Sequence, residues 1–446
     1  MKDIQASIHA EQSLIGALLI DNNALDRITD FSAEHFYRHE HKTIFNEICR
    51  QVTAGKRVDA LTIFEKVGHQ VDDCLQYLVT IEQNTPSSAN ITQYAAITTD
   101  KAIKRALAAL GAEMQDIAAS NQDSAVLVDL MASKLEALAS KKVTQDPQRL
   151  SEMLGGYADM IQSRIDGKVR PVKTGFDDLD RMLSGGIAKG TLTVIAGRPG
   201  CGKTAAGLCI ARNVAEWGSA LFLSMEMSRH EINDRNISAI GKLPLCWLTN
   251  PGEKTQSDIA HWDAMTHAFA RSQELNIFID DKTALNMLAI RGKTKLIKRK
   301  HGLDLLVIDQ LSFITGGNSD KSWEVVGEHT RALLQLAKES DIAVILLCQL
   351  NRKCDDRTNK RPGLSDLAVS GSIEQDASNI IFLYRDEIYN PDTQDKGVCE
   401  WIISKQRQGQ PGTVALSYIA DQTRFENMAY QWQAEKKELK KSRGFS

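Results

Sequence analysis

The stretch LTVIAGRPGCGKT, residues 192–204, decides the fold of most of this chain. Its first five residues are apolar or β-branched and predict a buried strand, while AAGLCIARNVAE, which follows Thr204, predicts a helix. Between them, the spacing Gly-x-x-x-x-Gly-Lys-Thr is typical of a phosphate-binding loop, in which backbone N–H groups and a helix N-terminus face an anion. The order strand, loop, helix therefore predicts an α/β domain that binds a nucleotide.

The predicted nucleotide-binding loop comprises Gly197, Arg198, Pro199, Gly200, Cys201, Gly202, Lys203 and Thr204. Its glycines allow main-chain amides to converge on the phosphates of ATP. Lys203 would add a point charge at the β- and γ-phosphates, and the Thr204 hydroxyl would ligate Mg²⁺. The alternative is a chance match in an ordinary loop, but the strand before it and the helix after it favour nucleotide binding.

From residue 170 onward, short β-branched runs alternate with helical segments, which predicts a largely parallel sheet. The predicted strands are 192–196, 220–224, 305–309, 343–348, 380–384, 399–405 and 414–419. Three of them end in polar side chains that would lie around the loop, because parallel strands present their carboxyl ends at one edge. Asp309 can hold the water shell of Mg²⁺, Glu226 is a candidate general base, and Gln349 is a candidate γ-phosphate sensor. Asp309 could instead cap a helix.

The stretch SKQRQGQPG, residues 404–412, carries two cations, Lys405 and Arg407, at the end of a predicted strand. Strand alternation predicts that positions 401, 403, 405 and 407 share one face, so both cations would be aimed at the same anion. The alternative is a pair of ordinary surface cations, which the two residues alone would favour.

The first part of the chain has a different pattern, since residues 9 to about 113 have apolar positions at helical spacing. An Ala-rich stretch at 123–141 predicts a helical hairpin arm, and Thr144–Pro147 marks a linker. A lone amphipathic helix near 149–166 follows, and its apolar face consists of Leu150, Met153, Leu154, Tyr157, Met160 and Ile161. Such a face must be buried on something, and a neighbouring subunit is one candidate. We predict an α + α/β protein with a helical domain at 1–143, a linker with a docking helix at 144–170 and a parallel-sheet ATPase domain at 171–446.

Composition limits the setting in which the protein works. The 446 residues are 42% hydrophobic and 25% charged, as in globular proteins, and the net charge of −3 requires a local groove for any polyanion. No apolar run approaches the length of a membrane span, and the N-terminus lacks a signal-peptide core. The eight cysteines form no Cys-x-x-Cys pair, so we expect reduced thiols and a cytoplasmic protein without a membrane partner. His35, His39 and His41 have mixed spacing and are expected to be ordinary histidines.

The loop, the strand ends and the approach TGFDDLDRMLSGGIAKG resemble the RecA-type ATPase core. Within that group, DLAVSGSIEQDASNIIFLYRDEIYNPDTQDKG, KQRQGQPGTV and TRFEN are similar to the DnaB-type replicative DNA helicases. AEQSLIGALLIDN, HFYRHEHKTIF and NTPSSANITQYA resemble the helical collar domain of the same family. The resemblance extends from about residue 9 to residue 430.

The resemblance implies an ATP-hydrolysing homohexameric ring that moves 5′ to 3′ on single-stranded DNA and unwinds duplex at a replication fork. The collar would sit above six ATPase domains, and each linker helix would dock on the next protomer. A primase and a helicase loader would be partners. The family assigns Lys203, Thr204 and Asp309 to Mg·ATP, Glu226 to activation of water and Gln349 to γ-phosphate sensing. Lys405 and Arg407 would reach the ATP of the adjacent subunit.

The chain departs from the family pattern in the loops expected to grip DNA. The usual Asp-Leu-Arg-Glu-Ser-Gly is Asp366-Leu367-Ala368-Val369-Ser370-Gly371 here, and Lys321-Ser322 stand where an Asn-Arg pair is common. Main-chain amides can also contact phosphates, so we expect Val369, Ser370 and Gly371 to track the DNA strand with fewer charges.

Two rival functions stay open from the sequence alone. One is a strand-exchange or clock-type RecA-like ATPase, against which the collar-like segment and KQRQGQPG argue. The other is a non-catalytic loader or adaptor that binds ATP as a switch, which would be expected to lack the carboxylate of Glu226. Basic residues between Arg291 and Lys300 are expected to form a solvated face, with a subunit or DNA contact as the alternative.

Overall fold

A computed structural model describes residues 2–119, 127, 131, 134–135, 149–250, 259–315, 322–367 and 370–429. The chain divides into two compact units, Met1–Gln148 and Arg149–Ser446. The first is helical and the second is built on a sheet, so the predicted α + α/β class is confirmed. The exact domain boundaries stay a prediction. Most of the predicted helical arm at 123–141, and the break at 144–147, lie outside the described residues.

The first unit is a bundle of helices around one apolar core. Its helices are α1 (Lys2–Ile20), α2 (His39–Thr53), α3 (Ala60–Val67), α4 (Cys74–Asn84) and α5 (Ile91–Ala118). Leu14 and Leu18 of α1 are fully buried with Ile44 of α2 and Leu78 of α4, at the i and i+4 positions that the periodicity predicted. Asp59 begins α3 by accepting a hydrogen bond from the Thr62 amide at 2.8 Å.

His41 belongs to this core. Its Nδ1 is 2.7 Å from Glu11 Oε2, and its Nε2 is 2.7 Å from the Tyr77 hydroxyl. Both His41 and Glu11 are fully buried, and the Tyr37 amide donates a further hydrogen bond to Glu11 at 2.7 Å. Despite its burial, the pKa of Glu11 is lowered, because the hydrogen bonds from His41 and Tyr37 favour the carboxylate. His41 therefore joins α1, α2 and α4.

The second unit alternates helices and strands. Its helices are α6 (Leu150–Ile165), α7 (Asp177–Met182), α8 (Lys203–Ala215), α9 (Arg229–Gly241), α10 (Leu245–Thr249), α11 (Ile259–Glu274), α12 (Met287–His301), α13 (Ser322–Ser340) and α14 (Ser370–Asp376). Its strands are β1 (Leu192–Gly197), β2 (Ala220–Ser224), β3 (Ile277–Asp280), β4 (Leu285–Asn286), β5 (Leu305–Asp309), β6 (Ile314–Thr315), β7 (Ala343–Gln349), β8 (Asn379–Tyr384), β9 (Val398–Gln406), β10 (Gly412–Ile419) and β11 (Arg424–Asn427). All seven predicted strands form. None of the helices in the described ranges has both the length and the apolar composition that a membrane crossing requires.

Nine of these strands form one sheet in the order β11-β10-β9-β8-β1-β7-β5-β2-β3. The pairs from β8 to β3 are parallel, whereas β9, β10 and β11 are joined by antiparallel pairs. The carboxyl ends of β1, β2, β5, β7 and β8 therefore meet at one edge, which we call the loop edge. Strand β9 runs the other way, so its carboxyl end lies at the opposite edge, which we call the far edge.

Both faces of the sheet are buried. On the α8 face, Ile195, Phe222 and Ile345 pack with Leu208 of α8. On the α13 face, Val194, Leu306 and Leu346 pack with Leu333 and Leu336 of α13 and with Ile373 of α14. A strand buried on both sides is apolar throughout, which explains why the parallel strands were recognisable as continuous apolar runs.

An irregularity in β9 corrects one prediction about the cations. Ile381 pairs with Ile403, but Ile380 pairs with Lys405, so the register shifts by one residue at Ser404. Ile381 and Ile403 belong to the α8 face, while Ile380 belongs to the α13 face. Residues directly opposite in an antiparallel pair share a face, so Lys405 lies on the α13 face. The prediction that 401, 403, 405 and 407 share one face was wrong, because the extra residue of a bulge reverses the alternation.

Candidate nucleotide-binding and ATPase site

The loop between β1 and α8 has the backbone conformation that phosphate binding requires. Gly200 and Gly202 have φ values of +79° and +96°, in the left-handed region that favours glycine. A Cβ on Gly202 would lie 3.1 Å from Cζ of Phe425, so this position also lacks room for a side chain. Because α8 begins at Lys203, the first amides of the helix face the space above the loop.

Lys203 folds back over the beginning of the same loop. Its Nζ donates hydrogen bonds to the carbonyl oxygens of Gly197 at 3.0 Å and Arg198 at 3.3 Å. Burial lowers the pKa of the Lys203 amine, while the nearby carboxylates of Asp309 and Glu226 act in the opposite direction. Two neutral carbonyls are weaker partners for an ammonium than a phosphate is, so the side chain is positioned to exchange them for a nucleotide.

Thr204 and Asp309 are joined by a hydrogen bond, which the Thr204 hydroxyl donates to Asp309 Oδ2 at 2.7 Å. The other carboxylate oxygen, Oδ1, is buried and accepts no hydrogen bond from any residue that the structure describes. Burial raises the pKa of Asp309 to about 6, and the negative charge of Glu226 acts in the same direction. A buried carboxylate oxygen without a donor, beside a hydroxyl, is the oxygen-rich setting that Mg²⁺ prefers, so these residues fit that cation.

The sheet register brings the two remaining predicted residues to the same edge. Ser224 pairs with Asp309, and exposed Glu226 follows two residues after Ser224. Gln349, also exposed, pairs with Gly197 at the start of the loop. Four neighbouring strands thus carry Lys203, Thr204, Asp309, Glu226 and Gln349 to the loop edge. This arrangement can hold a nucleoside triphosphate and present the carboxylate of Glu226 to a water molecule.

The sequence pattern missed two residues beside this loop, Arg385 and Tyr418. Arg385 directly follows β8, and its Nη1 donates a hydrogen bond to the Gly200 carbonyl at 2.9 Å. Its guanidinium carbon lies 4.2 Å from the centroid of the Tyr418 ring, in a cation–π arrangement. A planar cation stacked on a ring next to a phosphate loop offers a surface for a nucleobase. Arg385 directly follows a predicted strand, the same signal that identified Gln349, whereas the position of Tyr418 depends on strand pairing.

Lys405 and Arg407 lie elsewhere, at the far edge. Gln406 pairs with Asn379, the first residue of β8, and the Arg407 amide donates to the Ser378 carbonyl at 3.0 Å. The five-residue step from Asn379 to the last residue of β8 corresponds to about 16 Å at the usual rise of a strand. The structure therefore does not bring the two cations to the phosphate loop of their own chain.

Main-chain carbonyls hold both cations. Lys405 Nζ donates to the Glu374 carbonyl, and Arg407 Nη2 donates to the Gln375 carbonyl at 2.6 Å. Burial lowers the pKa of Lys405, and the positive charge of Arg407 acts in the same direction.

The expected DNA-contacting residues are only partly described. Val369, like Ala368 and Lys321, lies outside the described residues, and Ser370 is the first residue of α14. Gly371 is exposed in the first turn of α14, and a Cβ there would meet no atom within 4 Å among the described residues.

Three residues of the basic run on α12 take part in ion pairs. Lys293 pairs with Asp280, and both Arg291 and Lys295 lie within 4.0 Å of Glu339, at 3.9 and 3.7 Å. Lys295 is 59% exposed but Arg291 only 12%, so the run is not a uniformly solvated face, and a subunit or DNA contact stays a prediction.

These features define a RecA-like phosphate-loop ATPase: a phosphate loop follows β1, and a buried carboxylate, Asp309, ends β5, which is separated from β1 only by β7. Comparisons with known proteins give the family. Residues 171–427 match the model of the DnaB-like helicase C-terminal domain, and residues 3–100 match that of the N-terminal domain. The chain therefore belongs to the DnaB-like helicase family.

Similar proteins agree with this assignment. The replicative DNA helicase DnaB of Geobacillus stearothermophilus is 35% identical over 435 residues, which are 95% of this chain and 94% of the relative. That of Pasteurella multocida is 34% identical, with the same shares covered. A solved DnaB-like replicative helicase, described with its interactions with primase, superposes with a TM-score of 0.72 at 28% identity, over 94% of this chain and 99% of the other. A second solved structure, that of an ATPase domain, superposes with a TM-score of 0.59 at 34% identity, over 64% of this chain and 100% of the other. The activity is that of an ATP-dependent replicative DNA helicase.

Proposed function

We propose that this DNA helicase is a homohexameric ring that moves 5′ to 3′ along single-stranded DNA and hydrolyses Mg·ATP at sites shared by neighbouring subunits. The observation that supports the proposal is the separation of two groups of cations within one chain. Lys203 lies at the loop edge, while Lys405 and Arg407 lie at the far edge. A ring in which the far edge of one subunit faces the loop edge of the next would combine them.

Within one subunit, the loop edge performs most of the chemistry. Lys203 and the loop amides bind the β- and γ-phosphates, and Thr204 with Asp309 would hold Mg²⁺. Held there, Mg²⁺ would supply positive charge against the charge that develops on the phosphates. Glu226 orients a water molecule and takes a proton at its carboxylate. Gln349, at the end of β7 next to β1, contacts the γ-phosphate and so distinguishes ATP from ADP.

Arg385 and Tyr418 complete the nucleotide site in this proposal. The guanidinium of Arg385 already contacts the loop through the Gly200 carbonyl and stacks on Tyr418. A base placed against this pair would lie beside the phosphates held by Lys203.

Rings need contacts between subunits, and α6 has the surface for one. Leu150 is 74% exposed, and Met153, Leu154 and Tyr157 are each 52–54% exposed. No side chain of α6 is buried. An apolar stripe of this size on a helix is unfavourable in water and is typical of an interface. We assign it to docking on the adjacent protomer, as the family resemblance implies.

Partners follow from the activity and the relatives. Single-stranded DNA is the track, and Gly371 with its neighbours would contact its backbone. One solved relative is described together with its interactions with primase, and we extend that partner to this chain. A helicase loader is the other partner that the resemblance implies. A replication protein of this kind works in the cytoplasm.

A forked duplex tests the proposal. With a 5′ single-stranded tail and Mg·ATP, the protein should separate the strands, whereas a duplex with only a 3′ tail should stay intact. Lys203→Ala is the control for hydrolysis and should unwind neither the duplex with the 5′ tail nor the duplex with only a 3′ tail. Native mass spectrometry of the same sample should give six subunits. Unwinding that prefers the 3′ tail, or that proceeds in Lys203→Ala, would refute the proposed direction or the proposed site.

A further inference from the structure

The helix α14 connects the far-edge cations with the turn expected to contact DNA. Lys405 and Arg407 donate to the carbonyls of Glu374 and Gln375, which lie in the last turn of α14. Gly371 lies in its first turn, and the whole helix is only seven residues long. Carbonyl groups at a helix C-terminus have no partner within the helix and carry partial negative charge, so they suit two cations.

A second set of contacts attaches α14 to α13. The Thr330 hydroxyl lies 3.1 Å from both Asp376 Oδ2 and the Gly327 carbonyl oxygen and shares its proton between these two acceptors, so it ties the carboxyl end of α14 to α13. Near the other end, a Cβ on Gly327 would lie 2.8 Å from Ser372 Oγ, so the two helices approach closely. Ile373, between these contacts, is buried in the α13 face. We call the Thr330–Asp376 hydrogen bond the latch.

A γ-phosphate of the neighbouring subunit would compete with α14 for the cations. Hydrogen bonds between a cation and an anion are stronger than those to a neutral carbonyl, so a phosphate that Arg407 can reach displaces Gln375. The last carbonyls of α14 then lose their donors and must find new ones. Since the latch and Ile373 hold the helix as one body against α13, a change at its last turn is passed on to Gly371.

We infer that α14 is a relay that links the γ-phosphate of one subunit to the DNA contact of the next, and that the latch is the positioning contact on which it depends. This inference rests on the proposed function, in which Arg407 acts on a neighbour and the start of α14 contacts DNA. Linkage makes the relay reciprocal, so DNA bound at Gly371 also changes how readily Lys405 and Arg407 leave α14.

Thr330→Val tests the relay, because it removes the latch hydroxyl and keeps the shape of the side chain. The measured quantity is the ratio of two dissociation constants for a fluorescent oligo-dT, one with Mg·ADP and one with a slowly hydrolysed ATP analogue. Single substitutions along a coupling path change such ratios by about two- to thirtyfold. In Thr330→Val, the ratio of the two dissociation constants should therefore be closer to one than in the wild type, by a factor of about three or more. In the absence of DNA, affinity for the nucleotides and the number of subunits should not change. Thr330→Ser keeps the hydroxyl and should restore the wild-type ratio.

Matched variants separate coupling from folding. Gln335→Ala changes an exposed side chain of α13, the helix that carries Thr330, and should behave as wild type. If Thr330→Val does not fold, Asp376→Ala removes the other half of the latch at a partly exposed position.

Each outcome decides the inference. A wild-type ratio of one, or an unchanged ratio in a folded variant without the latch, overturns the relay. If the wild type unwinds DNA and Arg407→Ala is inactive in the same experiments, the proposed function stands even when the relay fails. If Arg407→Ala hydrolyses ATP at the wild-type rate, the proposed function is what has failed.

Discussion

The two edges of the sheet hold their cations in contrasting surroundings. At the loop edge, Lys203 is held by two carbonyls of its own loop, and a hydroxyl and a buried carboxylate lie beside it. At the far edge, Lys405 and Arg407 are held by two carbonyls of α14, about 16 Å away along β8. The loop edge contains everything that a nucleotide needs. The far edge has cations, but no phosphate-binding loop lies beside them in the part of the chain that the structure describes.

This difference follows from strand direction. Parallel strands bring the ends of β1, β2, β5 and β7 together, so one chain can assemble Lys203, Asp309, Glu226 and Gln349. Antiparallel β9 delivers its own end to the opposite side. In the proposed ring, a chain built in this way would divide one catalytic site into two parts, and hydrolysis would depend on assembly.

The largest expected effect comes from removing the far-edge cation. In other phosphoryl-transfer enzymes, an arginine that reaches the transferring group contributes roughly 10³–10⁵ in rate. Arg407→Ala should therefore lower the turnover number for ATP by about that factor, while nucleotide affinity, set by the loop edge, stays close to wild type. Steady-state hydrolysis and binding of a fluorescent ADP measure the two quantities. Near-normal turnover would mean that the two edges do not cooperate.

Mixing variants tests whether that cooperation crosses subunits. Lys203→Ala and Arg407→Ala proteins should each be inactive alone. In mixed rings, an Arg407→Ala subunit keeps its phosphate loop and a Lys203→Ala subunit keeps its arginine, so a complete site forms where they meet in the right order. ATPase activity should partly return after subunit exchange, verified with labelled chains. If mixed rings show no ATPase activity at any mixing ratio of the two variants, Arg407 acts in its own subunit.

The next effect concerns the loop edge alone. Removing a positioned general base usually costs about 10²–10⁴ in rate, so Glu226→Gln should lower turnover within that range. Nucleotide affinity should remain, because Glu226 contacts neither the loop nor Thr204 in the described hydrogen bonds. Comparison with Lys203→Ala, which should lose both binding and turnover, distinguishes the two roles. Fast hydrolysis by Glu226→Gln would show that a different residue activates water.

The contrast between the edges also marks how far the sequence could predict this structure. The loop and the strand ends were predictable because local spacing and continuous apolar runs specify them. The bulge at Ser404 was not, since nothing in the local pattern marks it and its cause lies in pairing with β8. Strand β3 was missed because it is short and only half-buried at the sheet edge. Arg385 and Tyr418 meet through strand pairing that a single sequence does not show.

In the proposed ring, a change in the apolar stripe of α6 should weaken the assembly of subunits. Full burial of a leucine side chain contributes about 1.5–3 kcal/mol, or roughly ten- to 150-fold in an association constant. Leu154, which is 54% exposed, lies in the middle of the apolar stripe, so Leu154→Asp should shift hexamers to smaller species in light scattering. Asp159→Ala, an exposed position on the same helix, is the matched control and should leave the ring intact. Hexamers of Leu154→Asp that persist on dilution would show that α6 packs elsewhere.

The smallest effect concerns Ala368 and Val369, which come directly before α14 in the sequence and stand in place of the Arg-Glu pair common in the family. With one arginine fewer, DNA contact should depend more on main-chain amides and respond weakly to salt. Each phosphate contact made by a cation adds about 0.7 to the slope of log K against log salt for single strands. Ala368→Arg should therefore steepen the slope by about that amount, which corresponds to roughly a threefold change in affinity between 50 and 200 mM salt.

Fluorescence anisotropy of an oligo-dT at several salt concentrations measures this slope, and Ala368→Gln controls for side-chain size without charge. A steeper slope in Ala368→Arg alone would place the beginning of α14 next to the DNA backbone. The two ends of one short helix would then serve different polyanions, DNA phosphates at Gly371 and a nucleotide phosphate at Arg407. An unchanged slope in both Ala368→Arg and Ala368→Gln would show that DNA does not bind next to residue 368. Only the proposed contact with a nucleotide phosphate would then remain at the far edge.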